Sequence, residues 1–419
     1  MKRGYRHLVG VRVAALFFLL VAGCGFRHGS ASAAEIGPED AFCPAANALA
    51  PGEELVLRPG NYHGPCVLVS GGLPGAPVVI RAADLQRRPR LLYRGRDANV
   101  LDIRASHITV RGLAIGPSSA DVDGIRVFST ANVVIEDCEF DGIGGVAVAA
   151  THNSIAGLVV RRNIIENSES TAMYFGCHDG LTCTVSGLLV ERNFIRTVRA
   201  PNPEIGYGIQ VKLNSTAVMR DNVILNTKGP GIMVYGSRDL LNRSVVERNL
   251  VMGSQTSSGI VVGGGPAAIR NNISLLNHGA GIALEDYHVR GLLRSVIVSH
   301  NTLYKNAAGG VTAPAGVHVR DVAITNNAVH TLQGAPAVPR GRVDVDLAGN
   351  VDCTWALCFA NPEAMDFSPV NGSLLLAPAS MRGADSVPPD DYFGTKRSLL
   401  PVAGAIQRGA GAIRLGPKP

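Results

Sequence analysis

A two-part motif recurs between residues 100 and 330, and this repeat constrains the fold of the 419-residue chain more than any other feature. The first part is a glycine followed by apolar residues at alternate positions, as in GIQVK from residue 208. The second part is an apolar run, two polar residues, an asparagine and two apolar residues, as in GLLVERNFI from residue 187. First parts follow one another after 21 residues (124 to 145) up to 36 residues (172 to 208). Period-two alternation predicts that each part forms a short strand.

A unit of this length cannot enclose a core by itself, whereas stacked coils bury a continuous apolar interior. The composition agrees, because 49 glycines and only 5% aromatic residues favour tight turns around a core of small side chains. We therefore predict an all-β fold, a single parallel β-helix with N- and C-terminal caps. Its predicted divisions are an N-terminal cap with the first coils at 35–98, the repeats at 99–335, and the last coils, C-terminal cap and tail at 336–419.

One asparagine recurs at the same place in the second part of seven motifs. We interpret this column as an inward-facing ladder at a turn, where side-chain amides hydrogen-bond between coils and the asparagine tolerates left-handed geometry. Cys138 takes the same place one coil earlier, and we predict a buried substitute for asparagine there. The column consists of Asn163, Asn193, Asn222, Asn249, Asn272, Asn301 and Asn327.

The first 23 residues carry four basic side chains and then the run VAALFFLLVAG, which is too short to span a bilayer and is typical of a signal peptide. Two cleavage sites remain open: LVAGC resembles a lipobox with Cys24 as the lipidated residue, and ASAAE offers cleavage before Glu35. Both predict export, to the periplasm or outer membrane or into the medium. Removing the signal lowers the net charge from +6 to +2 (6 − 4), so we expect no nucleic-acid partner, and membrane contact only through a lipid anchor.

Six of the remaining cysteines form pairs that are close in sequence. In an oxidising compartment their proximity predicts three disulfides, and none of the spacings is a zinc pattern. The predicted pairs are Cys43 with Cys66, Cys177 with Cys183, and Cys353 with Cys358.

Alternation along the first part of the motif predicts which side chains leave the core. Counting from each glycine, the first and third residues are apolar and face inward, which places Val146 and Val148 in the core of the coil that begins at Gly145. The second, fourth and sixth residues face outward. Near the middle of the repeat these outward residues include Tyr174, His178, Gln210, Lys212, Asn214, Tyr235 and Glu285.

The stretch PGEELVLRPGNYHGPCVLVSGGLPGAPVVIRA from residue 51, together with the asparagine-containing coils, resembles the right-handed parallel β-helix proteins of the pectin-lyase-like superfamily, nearest the alginate lyase and chondroitinase B branch. In that branch a lysine on one coil is the general base, an arginine on a following coil assists, and calcium or basic groups neutralise the uronate carboxylate. The resemblance implies Lys212 as the base and Arg238, in YGSRD, as its partner. Glu285 and Asp286 are candidate calcium ligands, although two acids are few for that ion.

The resemblance and the outward face together predict a monomeric protein that acts on an acidic polysaccharide, with β-elimination as the specific hypothesis and C5-epimerisation as a related one. The predicted substrate contacts are Tyr174, His178, Tyr207, Gln210, Asn214, Tyr235 and Glu285.

Several sequence features favour less specific interpretations. The Asp-Pro-His-Asp motif of the epimerases and the paired aspartates of polygalacturonase-type hydrolases are absent. Lys212 is also compatible with a solvated surface lysine, and Tyr174 and Tyr235 with packing beneath an overlying loop. The alternatives are therefore a non-catalytic glycan-binding or cell-envelope structural protein and a surface adhesin that contacts protein.

Overall fold

The computed structural model describes residues 33–201, 206–313, 319–332, 334–339, 344–381, 387–409 and 411–418. They form a parallel β-helix in which each coil contributes one strand to each of three sheets. Every strand pair within these sheets is parallel, and the strand order advances by one coil at each step. This confirms the predicted fold class. The predicted signal peptide and Cys24 lie outside the described residues.

Sheet I, which carries Lys212 on its outer face, has ten strands. They are Cys66–Leu68, Leu101–Ile103, Ile125–Val127, Val148–Ala150, Met173–Phe175, Ile209–Val211, Ile232–Val234, Ile260–Val262, Ile282–Leu284 and Val311–Thr312.

Sheet II has thirteen strands and follows sheet I in each coil. They are Ala33–Ile36, Glu54–Leu57, Val78–Ala82, Ile108–Arg111, Val134–Glu136, Val159–Arg161, Leu188–Glu191, Ala217–Arg220, Ser244–Glu247, Ala267–Arg270, Arg294–Ser299, Arg320–Thr325 and Val345–Ala348.

Sheet III has twelve strands and completes each coil. They are Asn61–His63, Arg90–Tyr93, Ala114–Ser118, Glu139–Asp141, Ile164–Ser168, Phe194–Val198, Val223–Thr227, Leu250–Met252, Ile273–Leu275, Thr302–Asn306, Ala328–Thr331 and Val351–Asp352.

The remaining elements are short. Ile155–Ala156 pairs with Val185–Ser186, and Phe359–Asn361 pairs with Asp366–Pro369. One α-helix, Phe42–Asn47, is accompanied by 3₁₀ turns at Tyr287–Val289, Pro362–Ala364 and Leu374–Leu376. Among the described residues, no helix is long and apolar enough to cross a bilayer.

Side-chain direction follows the predicted alternation, with one correction. Val148 is in register with Ile125 and Met173, so Val148 and Ala150 face the core. The alignment predicted from Gly145 is therefore wrong by two residues, and Val146 is only half-buried. The reason is local: Gly144 and Gly145 belong to the preceding turn, where the Gly145 N–H donates to the Val122 carbonyl.

The asparagine ladder is confirmed. Between two asparagines of the ladder, the side-chain oxygen of the later one accepts hydrogen bonds from the backbone N–H and the side-chain Nδ2 of the earlier one. Asn222 Oδ1 accepts both from Asn193, at 3.0 Å each. The ladder extends to Asn350, and its other end is the buried, unpaired Cys138, whose N–H donates to Asn163 Oδ1 at 2.9 Å.

The predicted geometry of the ladder needs a correction. The left-handed residue is the one before each ladder position: φ is between 53° and 58° before Cys138 and the seven predicted asparagines, and 65° at Gly349, before Asn350. These preceding residues point away from the ladder, so residues as different as arginine and aspartate occupy the position. They are Asp137, Arg162, Arg192, Asp221, Arg248, Asn271, His300 and Asn326.

All three predicted disulfides are present, and each closes a local loop. Cys43–Cys66 ties the α-helix to the first strand of sheet I. Residues 35–98 thus contribute strands to all three sheets as well as the helix that packs at the N-terminal end of the core.

The segment after Asp352 folds back over the outer face of sheet III. Its apolar residues, including Phe359, Phe367 and Tyr392, share a cluster with outward residues of that sheet such as Leu250 and Tyr304. The segment reaches back several coils, because Lys418 Nζ donates to the Arg248 carbonyl at 2.7 Å. The predicted tail is therefore a packed outer layer of the coils.

His300 lies beneath this outer layer and is completely buried. Its Nδ1 is 3.0 Å from the Val402 carbonyl. Burial, and then the charge of Arg397, lower the pKa of His300 to about 3 from 6.5. Folding therefore favours the neutral ring, and the stability linked to this group is present above pH 6.5 and is lost as the pH falls towards 3.

We expect His300→Asn to flatten the acid dependence of stability. Asparagine suits this backbone conformation, because Asn271 and Asn326 hold the same position one coil before and one coil after. Between pH 6.5 and pH 4 the free energy of unfolding of the wild type should fall more steeply than that of the variant, by about 1.4 kcal/mol per pH unit. Urea unfolding across this range measures the difference. Exposed His278→Asn is the control, and an equal slope in His300→Asn and wild type would refute the assignment.

Candidate active site

Lys212 follows the strand Ile209–Val211 on the outer face of sheet I. Its ammonium lies 4.2 Å from the ring centroid of Tyr235, one coil later, and 5.1 Å from that of Tyr174, one coil earlier. Nζ is also 3.1 Å from Nδ1 of His178. The residue is only 4% exposed, so the interpretation of Lys212 as a solvated surface lysine is wrong.

The surroundings of Lys212 change its proton affinity. Burial, followed by the positive charge of Arg290, lowers the pKa of Lys212 from 10.5 to about 8. The faces of the two tyrosine rings favour the ammonium and oppose this effect without reversing it. Near pH 8 a substantial share of the side chain is therefore a neutral amine, which is the form that can take up a proton.

Two loops between strands explain why the part of the outer face around Tyr235 is buried. An outer cluster consists of the buried residues Leu213, Met233, Tyr235, Val261, Ala283 and Leu292. Two partly buried tyrosines pack against this cluster. Tyr207 comes from the long coil that begins at Ala172, and Tyr287 follows the strand Ile282–Leu284. The rings of Tyr287 and Tyr235 meet edge to face at 4.6 Å. Tyr235 is thus packed beneath loops, one of the two alternatives that the sequence left open.

The polar atoms of the site are interconnected. Gln210, which is 3% exposed, donates from Nε2 to the Tyr235 hydroxyl at 3.0 Å. Burial, together with the neighbouring Tyr207 hydroxyl, raises the pKa of Tyr235. Burial likewise raises the pKa of Tyr174 to about 12. Both tyrosines therefore remain neutral hydrogen-bonding groups around the lysine at neutral pH.

Asn214 and Arg238 lie beside this centre. Asn214 links two loops: its Nδ2 donates to the Gly180 carbonyl at 2.8 Å, and its Oδ1 accepts from the Arg238 N–H at 2.9 Å. The Arg238 side chain is exposed and lines a shallow cavity of about 360 Å³ together with Asn214, Thr216 and Asp239. Arg238 therefore lies in the coil after that of Lys212 and meets the earlier coil through its backbone N–H at Asn214.

Arg290 is the cation whose charge acts directly on Lys212, and the sequence alone did not single it out. It follows the 3₁₀ turn Tyr287–Val289 in the segment between sheets I and II. Its guanidinium lies 5.6 Å from the Tyr287 ring centroid. The sequence could not predict this role, because Arg290 lies in an insertion between two motif parts and is not aligned with the outward-facing residues of the strands.

The two candidate calcium ligands do not form a cage within the described part of the chain. Asp286 accepts hydrogen bonds from the N–H groups of Gly291 and Leu292, at 2.9 and 3.1 Å, and so holds its own loop. Glu285 is exposed. The described residues contain no group of three or more histidine, cysteine, aspartate or glutamate side chains that could hold a metal ion.

The outer face of sheet I continues towards the N-terminus with further polar and aromatic residues. Arg126 is in register with Ala149, Tyr174 and Gln210 on the next three strands. Phe128 lies between the Arg104 guanidinium, 4.5 Å away, and the His152 ring, 5.3 Å away.

Comparison with known proteins supports the architecture. The model of the family described as "right handed beta helix region" matches residues 118–274 and 183–335. No curated protein sequence matches the chain.

Three solved structures share the fold at low sequence identity. An alginate lyase from Paenibacillus sp. strain FPU-7 has 14% identity and a TM-score of 0.50, with 75% of this chain and 99% of that chain covered. Pectate lyase Pel9A has 14% identity and a TM-score of 0.50, with coverage of 91% and 97%. XylC, solved in complex with xylose, has 11% identity and a TM-score of 0.62, with coverage of 90% and 96%.

The matched residues, 118–335, make up just over half of the 419-residue chain and coincide with the coils that carry the asparagine ladder and Lys212. The chain therefore belongs to the right-handed β-helix family.

Proposed function

We propose that this protein cleaves an acidic polysaccharide by β-elimination on the outer face of sheet I, with Lys212 as the general base. The observation that carries the proposal is a lysine enclosed by two tyrosine rings and a histidine, with its pKa lowered to about 8. A base with a pKa near the working pH is suited to proton abstraction. Two structures that share the fold are an alginate lyase and a pectate lyase, which favours this substrate class.

The proposed reaction begins with neutralisation of the uronate carboxylate, because the proton α to a carboxylate is acidic only when that charge is compensated. Arg290, whose charge already acts on Lys212, and the exposed Arg238 are the cations available for this role. The neutral Lys212 amine takes the α proton, the electron pair forms a carbon–carbon double bond, and the bond to the glycosidic oxygen breaks. The departing oxygen takes up a proton from water.

The reaction is tested by incubating residues 35–419 with alginate, pectate and other uronate polysaccharides, with and without calcium. A lyase creates one unsaturated sugar end for each cleavage, which is followed by ultraviolet absorbance. An epimerase changes the sugar composition without creating such ends. Absence of both changes across the panel would refute an enzymatic role.

The alternative is a protein that binds a glycan without cleaving it. The observation that favours it is the enclosure of Lys212, which is only 4% exposed. A binding protein would retain affinity for the same polysaccharides and generate no new ends. An adhesin that contacts protein would show no competition by soluble uronate polymers.

We expect Arg290→Gln to raise the pKa of Lys212, because the variant removes a positive charge that disfavours the ammonium. The rise should be smaller than the whole difference between about 8 and 10.5, since burial is the larger cause. The activity of the wild type should increase as the pH rises through about 8, and the variant should need a higher pH. Arg238→Gln is the matched comparison: it should alter substrate affinity and leave the midpoint unchanged. A midpoint unmoved in Arg290→Gln would contradict this account.

We also propose that the chain is exported, and that Cys24 carries a lipid. The three disulfides agree with an oxidising compartment. Loss of membrane association in a Cys24→Ser variant, with secretion retained, would support the lipid anchor, and unchanged fractionation would refute it.

A further inference from the structure

We propose that the loop closed by Cys177–Cys183 is a cover for Lys212, and that His178 is the residue that must move before a substrate reaches the lysine. This inference rests on the proposed function for its biological meaning, since it describes how access to that site is controlled. The geometry of the cover is independent of the reaction.

The loop is held firmly at its base. The disulfide joins residues six apart, and the Cys177 N–H donates to the Cys183 carbonyl at 3.1 Å. The Gly180 N–H donates to the Cys177 carbonyl at 3.1 Å, which closes a tight turn. A short loop with these crosslinks has few alternative conformations, so its side chains keep a defined position.

The loop is also docked on the coil that carries Lys212. Asn214 Nδ2 donates to the Gly180 carbonyl, and a Cβ built on Gly180 would lie 2.7 Å from the Leu213 carbonyl oxygen. Because Gly180 also has a φ of 63°, it is suited to this close approach. Leu213 and Asn214 directly follow Lys212, so the loop is fixed over the lysine and its two neighbours.

His178 is the part of the loop that meets the lysine. It is exposed, whereas Lys212 is 4% exposed, and the two side-chain nitrogens are 3.1 Å apart. Tyr174 lies in the preceding strand of sheet I and Tyr235 directly follows the next one. Their rings, which also contact Lys212, form the floor of the site. An imidazole turns about two side-chain bonds, so it can leave the lysine without a change in the coils. His178 is therefore the element of the site best placed to open.

The cover is tested by the chemical accessibility of Lys212. The chain contains six lysines, so amine labelling can be resolved by mass spectrometry for each of them, with exposed Lys396 as an internal reference. Labelling across a range of pH separates the pKa of Lys212 from its limiting rate as the free amine. We expect that limiting rate to be at least about tenfold below that of Lys396 in the wild type, as for a group reached only by local opening.

Two variants should remove the cover in different ways. His178→Ala deletes the side chain and keeps the loop, and Cys177→Ala/Cys183→Ala loosens the whole loop; both should raise the limiting rate of Lys212 several-fold. The matched control for His178→Ala is His152→Ala, because His152 is an exposed histidine on the same face, two coils before Lys212. The matched control for the double cysteine variant is Cys353→Ala/Cys358→Ala, which removes a disulfide of similar span after the last coils. Neither control should change the labelling of Lys212. Circular dichroism and thermal unfolding confirm that each variant is folded.

The inference is overturned if Lys212 in the wild type reacts as fast as Lys396, or if His178→Ala leaves its rate unchanged in a folded protein. These outcomes are separate from a failure of the proposed function. If Lys212 is protected from labelling and the protein forms no unsaturated ends, the cover is supported and the lyase activity is refuted. If Lys212 is labelled freely and the protein is an active lyase, the cover is refuted and the lyase activity is supported.

Discussion

Lys212→Ala is expected to abolish the formation of unsaturated uronate ends, with a loss of about 10²- to 10⁴-fold if the lysine is the general base. The amine is the group in the described site that combines a pKa near 8 with contacts to two aromatic rings on which a sugar could rest. Polysaccharide affinity should fall much less than activity, because the rings, Gln210 and the nearby arginines remain. The initial rate of absorbance increase and a direct binding measurement give the two quantities.

Lys228→Ala is the control for this variant, since Lys228 is half-buried and belongs to the turn after sheet III. Lys212→Met is a second informative variant, because it retains most of the volume and removes the amine. Activity above about one tenth of the wild type in a folded Lys212→Met protein would exclude the lysine as the base. Equal losses of binding and activity would instead assign Lys212 to substrate binding.

Asn222→Ala is expected to destabilise the protein more than any exposed substitution. Asn222 makes four side-chain hydrogen bonds: Nδ2 donates to Val190 and Asn249 at 2.9 Å each, and Oδ1 accepts from the N–H and the amide of Asn193 at 3.0 Å each. The residue is completely buried, so the variant leaves unpaired polar groups on both sides of it. The free energy of unfolding should fall by about 3 to 5 kcal/mol.

Denaturant unfolding measures this loss, and exposed Asn153→Ala is the control, with an expected change within about 0.5 kcal/mol. A second comparison uses the end of the ladder. Cys138→Ala should cost much less than Asn222→Ala, because Cys138 accepts no hydrogen bond from a further ladder side chain and donates only weak ones through sulfur. If Asn222→Ala lowers the free energy of unfolding by less than about 1 kcal/mol, the asparagine ladder contributes little to stability.

The coils could be predicted because their information is local and repeated. A glycine, two inward apolar residues and an asparagine recur in each unit, and every repetition predicts the same strand and turn. The one misaligned coil shows the limit of this reasoning. In GIGGVAVAA, from residue 142, two adjacent glycines precede the strand, and hydrogen bonds to the previous coil place both of them in the turn.

For the candidate site, the sequence predicted only which side chains face outward. Alternation correctly placed Lys212, Gln210 and Tyr235 on the outer face, since successive side chains of a strand point to opposite sides. It could not predict their burial, because the residues that cover them come from segments that do not repeat. Tyr207 and Tyr287 pack on the cluster around Tyr235, and His178 meets Lys212. The influence of Arg290 escaped the sequence for the same reason, as its loop has no register with the strands.

The sequence by itself determined the solenoid, the ladder and the three disulfides, each of which depends on residues that are close in the chain or equivalent in successive coils. Only the tertiary structure decided that the segment after Asp352 lies over sheet III and that the Cys177–Cys183 loop brings His178 to Lys212. Both contacts join residues tens to hundreds of positions apart through surfaces that exist only once the coils are stacked. A repeat pattern describes the coils themselves, and the function proposed for this protein depends on what the non-repeating loops place upon them.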